Sequence, residues 1–217
     1  MKFQNILFDL DGTLTDPALG ITNCVMYALK HFNIEIKERS ELFKFIGPPL
    51  VASFKEYYGF SEDDAQKALC LYRERFSDIG LFENEIYDGI EELLDALTKN
   101  GARLFVATSK PDVYAEKILE HFNIKRYFAY ICGNTLNEDR PKKEQVIAHL
   151  KFLYPELNKN NTVMVGDRCY DVEGAHSEGF KCIGVEFGYG SQNELINAGA
   201  DFIVKTVSEL KELLLKG

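Results

Sequence analysis

The chain has 217 residues, 46% of them hydrophobic and 27% charged, with 34 acidic against 25 basic side chains and a formal net charge of −9. That balance excludes a generic nucleic-acid binder, a disordered chain and a fibrous one, and it leaves apolar material for one sizeable core carrying a smaller insert. No run approaches the roughly 20 apolar residues of a membrane helix. The start, Met1-Lys2-Phe3-Gln4-Asn5, reaches Asp9 and Asp11 too early for a secretory leader. The expected compartment is the cytoplasm, with no membrane or nucleic-acid partner.

Phe3 to Phe8 reads as a short buried strand that ends in the turn Asp9-Leu10-Asp11-Gly12-Thr13. Residues 17–83 then read as helices without a strand: Ala18 to Phe32, Arg39 to Phe45, Leu50 to Tyr58 and Ser61 to Ser77. Gly47-Pro48-Pro49 interrupts them with a stiff loop, because a proline keeps the residue before it out of helical geometry. This stretch is too long for an ordinary connection. It is expected to form a separate helical cap, with residues 1–16 and 84–217 making the core.

Beyond it, Gly89 to Asn100 carries Ile90, Leu93, Leu94 and Leu97 at helical spacing. The run Arg103 to Ala107 reads as a strand that stops at Thr108-Ser109-Lys110-Pro111. Helices over Val113 to Phe122 and Lys143 to Leu153 follow, with strands at Tyr130 to Cys132, Thr162 to Val165, Lys181 to Val185 and Asp201 to Val204. Strand alternating with helix predicts an α/β fold: a Rossmann-like parallel sheet flanked by helices, with an inserted α-helical cap.

Ligands of such a sheet sit beyond the carboxyl ends of its strands, where Asp9, Thr108 and Asp167 all fall. Asp9 and Asp11 are two apart on extended chain, so both face one side while Leu10 faces the other. Gly166-Asp167-Arg168-Cys169-Tyr170-Asp171 adds two more carboxylates, about a turn apart if a helix begins near Cys169. Four acids in one crevice repel one another unless a cation is present. An oxygen-only ligand set suits a hard ion such as Mg2+. Magnesium points to phosphate, whose oxygens would find donors in Thr108, Ser109, a lysine near Lys143 and the backbone amides of the Asp11-Gly12-Thr13 turn. The five cysteines and four histidines are scattered, with no disulfide or zinc spacing, and read as reduced packing or surface residues.

The segment Asp9-Leu10-Asp11-Gly12-Thr13-Leu14 resembles the first motif of the haloacid dehalogenase-like superfamily of phosphohydrolases. Thr108 after its strand matches the second motif, a lysine in Arg140-Pro141-Lys142-Lys143 the third, and Gly166-Asp167 with Asp171 the fourth. The resemblance implies that Asp9 is the nucleophile, forming an aspartyl phosphate, and that Asp11 is the general acid and base. It implies that Asp9, the Asp11 carbonyl, Asp167 and Asp171 serve Mg2+, and that Thr108 and the lysine bind phosphoryl oxygens. Lys143 is taken for that lysine because it precedes Glu144-Gln145-Val146-Ile147, with Lys142 the alternative and Arg140 a supporting cation.

Within the insert, Phe45-Ile46-Gly47-Pro48-Pro49-Leu50 is similar to the cap segment of phosphoglycolate phosphatases and bacterial 5′-nucleotidases of this superfamily. The resemblance implies a small-molecule phosphomonoester substrate, a nucleoside 5′-monophosphate or phosphoglycolate, acted on by a monomer or homodimer. A base would need a platform such as Phe45, Tyr57 or Tyr58. Glycolate would need a cation such as Lys44 or Arg39. A sugar phosphomutase of the β-phosphoglucomutase type and a silent binding module are the alternatives. Asp16 and Asp201 read as turn or capping residues, Gly188-Tyr189-Gly190-Ser191 as a plain turn, Arg168 and Tyr170 as groups outside the site, and Arg73 and Arg75 as a solvated helix face.

Overall fold

Asn-Ile-Leu-Phe, with every residue buried, forms β1 (Asn5–Phe8), as a strand covered on both faces requires. The computed structural model describes residues 3–216; Met1, Lys2 and Gly217, assigned above to the core, lie outside them. After β1 come β2 (Thr15–Asp16), α1 (Ala18–Lys30), a 3-10 helix (Arg39–Phe45), α2 (Leu50–Tyr58), α3 (Glu62–Arg75), a π-helical turn (Phe76–Gly80) and β3 (Glu85–Ile86). The chain continues through α4 (Ile90–Lys99), β4 (Arg103–Pro111), α5 (Asp112–His121), β5 (Phe128–Asn134), α6 (Lys143–Leu153) and β6 (Thr162–Gly166). It ends with α7 (Cys169–Ser177), β7 (Lys181–Val185), α8 (Gln192–Ala198), β8 (Phe202–Val204) and α9 (Val207–Lys216).

Six strands form one parallel sheet in the order β5-β4-β1-β6-β7-β8. The chain winds from β1 to one side through β4 and β5, then returns to the other side for β6, β7 and β8. The winding therefore reverses between β1 and β6, which in an open α/β sheet opens a crevice at the strands' carboxyl ends. Phe8 stands beside both Val106 and Val165, so the residues that follow on β1, β4 and β6 emerge together. Alternation assigns the two faces. Leu7, Phe105, Met164 and Cys182 pack with Val146, Ile147 and Leu150 of α6 and Val172 of α7, whereas Ile6, Phe8, Val106, Val163 and Val165 pack with Leu93, Leu94 and Leu97 of α4.

The helices from α1 through the π-helical turn all lie between β2 and β3. Those two strands pair antiparallel, Thr15 with Ile86 and Asp16 with Glu85, and so clasp the two ends of the helical insert. The sequence reading had no strand there, because two residues are too few to show an alternation. It also read Arg39–Phe45 as an ordinary helix, where the chain makes a 3-10 helix, and it began the first strand at Phe3 rather than Asn5. α8 and α9 were not foreseen. Among the described residues no helix is long and apolar enough to cross a membrane.

One departure reshapes the crevice. The strand expected to stop at Thr108 runs on to Pro111, but its pairing with β5 slips: Ala107 faces Cys132 and Pro111 faces Asn134. Four steps on β4 thus match two on β5, a bulge that re-aims side chains. Thr108, Ser109 and Lys110 sit in it.

Candidate active site

Asp9 is the first residue beyond β1, its N–H held by the Val165 carbonyl at 2.9 Å. The chain then turns back through Gly12, whose N–H bonds the Thr15 carbonyl at 2.8 Å. Gly12 has φ +82°, and a Cβ there would overlap the Asp167 carboxylate; only glycine permits both. Asp167 follows β6, and Asp171 lies in the first turn of α7, where its Oδ2 accepts from the Arg168 N–H at 3.1 Å. Asp9, Asp167 and Asp171 each offer an oxygen within 4.8 Å of the others, and all three are buried.

Lys143 enters from the start of α6. Its Nζ lies 2.8 Å from Asp9 Oδ1 and 2.8 Å from Asp171 Oδ1 and donates to the Ala107 carbonyl at 3.0 Å. Lys142 instead reaches only Glu144, at 3.8 Å on the surface. Arg140 donates to the Gly133 carbonyl and faces Asp112, which makes it a brace for the loop ahead of α6. A second buried lysine, Lys110, stands 2.8 Å from Asp11 Oδ2.

Asp9, Asp11, Asp167 and Asp171 face two lysines, Lys110 and Lys143, all buried. Fully ionised, the cluster carries a formal charge of minus two. Burial, reinforced by Asp171 and Asp9, pushes the Asp167 carboxyl well above the usual carboxylate range. Asp171 is pushed up to about 6 by burial against the pull of Lys143. Burial also raises Asp11, with Lys110 opposing it. Burial alone would lower the Lys143 ammonium, but Asp171 and Asp9 outweigh it and hold it above its ordinary value. Asp167 Oδ1 and Asp11 Oδ1 are buried without a hydrogen-bond partner. A buried, oxygen-only, electron-rich cluster with an orphaned carboxylate oxygen fits a hard divalent cation.

Asp9, Asp11, Thr108 and Ser109 line a cavity whose far wall comes from the insert: Phe45, Gly47, Pro48, Leu50, Tyr72 and Arg73. Thr108 Oγ1 accepts from the Lys110 N–H at 3.3 Å, which leaves the hydroxyl proton free to be donated. Gly12 packs instead against Asp167, and Thr13 Oγ1 is buried without a partner.

Several residues read as bystanders carry part of this architecture. Tyr189 N–H donates to Asp167 Oδ2 at 2.7 Å, and a Cβ on Gly188 or Gly190 would overlap Asp167 or the Gly12 carbonyl, so the expected plain turn is a clasp around that carboxylate. Arg168 is fixed by Glu194 at 2.9 Å and donates to the Ile46 carbonyl beside Gly47, joining the fourth motif to the insert. Arg73 and Arg75 do not form a solvated face, since Arg73 reaches Leu136 and Glu138 while Arg75 grips Glu83. Asp16 accepts from the Ala18 N–H at 3.0 Å and from the Tyr189 hydroxyl, bracing the turn into α1 as expected. Asp201 instead accepts from the Cys182 N–H of β7 at 3.0 Å and faces His176, a tie between distant segments rather than a turn or cap. Of the proposed substrate contacts, Phe45 lines the cavity. Lys44 lies over the Tyr57 ring, and Arg39 is bonded to Thr22 and Asn23.

Residues 6–185 match the family described as haloacid dehalogenase-like hydrolase. The chain is 48% identical over 196 residues to a Pseudomonas aeruginosa protein named 5′-nucleotidase, covering 90% of this chain and 88% of that one. It is 37% identical over 213 residues to the Mycobacterium tuberculosis protein named tyrosine-protein kinase PtkA, covering 97% of this chain and 72% of the relative. Its fold matches the crystal structure of a "predicted phosphatase" from Clostridium acetobutylicum with a TM-score of 0.96 and 46% identity over 100% of both chains.

Proposed function

The chain belongs to the haloacid dehalogenase-like hydrolases, and from that premise we propose that it is a magnesium-dependent phosphomonoesterase working through an aspartyl phosphate on Asp9. The observation that carries this reading is the shared position of Lys143 Nζ, 2.8 Å from both Asp9 and Asp171, in a cluster that Asp167 completes. Asp9 attacks phosphorus as the ester P–O bond breaks, and Asp11 gives its proton to the departing oxygen. Water deprotonated by Asp11 then attacks the same phosphorus, releasing inorganic phosphate and freeing Asp9. The burial that raises Asp11 keeps a proton available for the first step. Lys143, Thr108 and Ser109 hold phosphoryl oxygens, with the amides of Gly12 and Thr13 behind them. Asp9, Asp167, the Asp11 carbonyl and Asp171 would hold magnesium, which would supply charge compensation for the phosphoryl group.

In this reading residues 17–83 act as a cap over a core of residues 1–16 and 84–217, and the substrate is a small cytoplasmic phosphomonoester. The relative named 5′-nucleotidase favours a nucleoside 5′-monophosphate, with phosphoglycolate the other member of the pair. Phosphate release from AMP, IMP, UMP and phosphoglycolate, with and without EDTA, tests it. Metal-dependent release that disappears in Asp9→Asn is the expected result; equal background release by both proteins would overturn it. The relative named a tyrosine-protein kinase favours a second reading, in which the phosphoryl group passes to a protein hydroxyl. Label retained on tyrosine, rather than appearing as free phosphate, would mark it.

A further inference from the structure

Two cations line the cavity, Arg73 and Lys110, and each already faces a carboxylate of the protein. Lys110 is held by Asp11 at 2.8 Å. Arg73, on α3 of the insert, donates to Glu138 Oε1 at 2.9 Å and to the Leu136 carbonyl at 2.9 Å, on the loop that follows β5. Glu138 is itself a cavity residue. Its backbone sits at φ +61°, a left-handed conformation that costs a residue with a Cβ about 1 kcal/mol or more. The loop thus spends backbone strain in a conformation that sets an acidic side chain opposite the insert's arginine.

We propose that the Arg73–Glu138 pair is a specificity filter that rejects phosphomonoesters whose leaving group bears a carboxylate and admits uncharged leaving groups. The inference rests on the phosphomonoesterase reading above and narrows its substrates. A leaving-group carboxylate needs a cation with free donors. Arg73 is the cation reaching in from the insert, and Glu138 neutralises its charge through one terminal nitrogen while the Leu136 carbonyl takes the other. An acidic substrate must displace Glu138 or lie against it, and like charges brought together at a recognition site are strongly disfavoured. A neutral leaving group meets no such opposition and finds apolar wall in Phe45, Leu50, Leu69, Tyr72, Phe76 and Tyr114. Glu138→Gln keeps the shape of the side chain while removing the competing charge, so it leaves the positive charge of Arg73 unneutralised and open to an external carboxylate.

The test compares kcat/KM for phosphoglycolate with that for its neutral isostere phosphoglycolamide, using p-nitrophenyl phosphate to establish that each protein is active. Wild type favours the amide by about tenfold or more. In Glu138→Gln the preference shrinks or reverses, and in Glu138→Gln with Arg73→Met the gain for phosphoglycolate is lost. Wild type turning over phosphoglycolate as well as the amide would overturn the filter even if the variants fail to fold. So would an unchanged ratio in active Glu138→Gln. If no ester is cleaved, p-nitrophenyl phosphate included, the phosphomonoesterase reading fails and the filter with it.

Discussion

Lys110 Nζ stands 2.8 Å from Asp11 Oδ2 and 4.5 Å from the centre of the Phe76 ring, so one buried ammonium joins a core carboxylate to the π-helical turn of the insert. It rests on that ring by a cation–π contact and is the largest influence opposing the burial that raises Asp11.

Lys110→Met therefore leaves Asp11 more firmly protonated. The carboxyl can still give a proton to the leaving oxygen, but the carboxylate left behind is reprotonated from solvent more readily, so less of it is present to deprotonate water in the second step. The phosphorylated enzyme should accumulate, with a burst of leaving group followed by a steady rate lower by about 10²-fold. Rapid-quench kinetics with p-nitrophenyl phosphate reads both quantities, and Lys110→Arg should recover part of the rate. A variant with the wild-type rate and no burst would remove Lys110 from the mechanism.

Metal-free stability should depend on pH in a definite sense. Asp167 and Asp171 bind protons more tightly folded than unfolded, since burial raises both. Their contribution is full below the unfolded value of 3.8 and is lost as pH rises through the folded one, for Asp171 about 6. In EDTA the melting temperature should fall across that window. The gain on adding magnesium should be larger near pH 7.5 than near about pH 5, because the cation binds the ionised cluster. Asp167→Asn relieves the repulsion, so at neutral pH without metal it should melt about 2–4 °C above wild type and gain less from magnesium. Scanning calorimetry with and without magnesium decides it.

The parts of this site that were legible in the sequence share one property: they depend on short-range order. Asp9 and Asp167 could be placed because β1 and β6 are buried on both faces and read as unbroken apolar runs ending in acid. Lys143 followed from its place at the start of α6. Lys110 and Arg73 could not be placed, since their partners Asp11, Phe76 and Glu138 lie far off in the chain. The slipped pairing of β4 with β5 was hidden for the same reason, because a bulge is a relation between two strands. Gly188 and Gly190 looked like turn residues because their requirement comes from Asp167, whose carboxylate the intervening Tyr189 amide binds.

The insert is tied to its own exit by Arg75 and Glu83. Arg75 makes a bidentate pair with Glu83 at 2.7 and 2.9 Å, and Asn23 of α1 adds a bond to the same carboxylate at 3.0 Å. The Arg75 hydrogen bonds hold Glu83 below its ordinary value. A depressed carboxylate stabilises the fold above its unfolded pKa, and that contribution is lost as pH falls through the lower folded value. Glu83→Gln should cost about 1 kcal/mol at neutral pH. The gap from wild type should close as pH drops below about 4. Urea unfolding at a series of pH values measures it, and a gap that widens in acid would contradict the assignment.

Two glycines offer a controlled comparison of what a single methyl group does here. At Gly190 a Cβ would overlap the Asp167 carbonyl oxygen. Backbone on both sides leaves no flexible side chain to yield, so Gly190→Ala must displace either the loop or Asp167. The Tyr189 N–H that binds Asp167 Oδ2 at 2.7 Å would move with the loop. Gly59, which ends α2 at φ +66°, has nothing within 4 Å of the added carbon. Gly59→Ala therefore meets backbone strain alone, about 1 kcal/mol, far from the carboxylates. Both variants should melt below wild type, but only Gly190→Ala should also weaken magnesium binding, by about tenfold or more, as expected when support for a metal ligand is lost. Magnesium titration followed by thermal shift separates the two. Equal magnesium affinity in both variants would mean that the Gly188–Gly190 loop does not hold Asp167 in place.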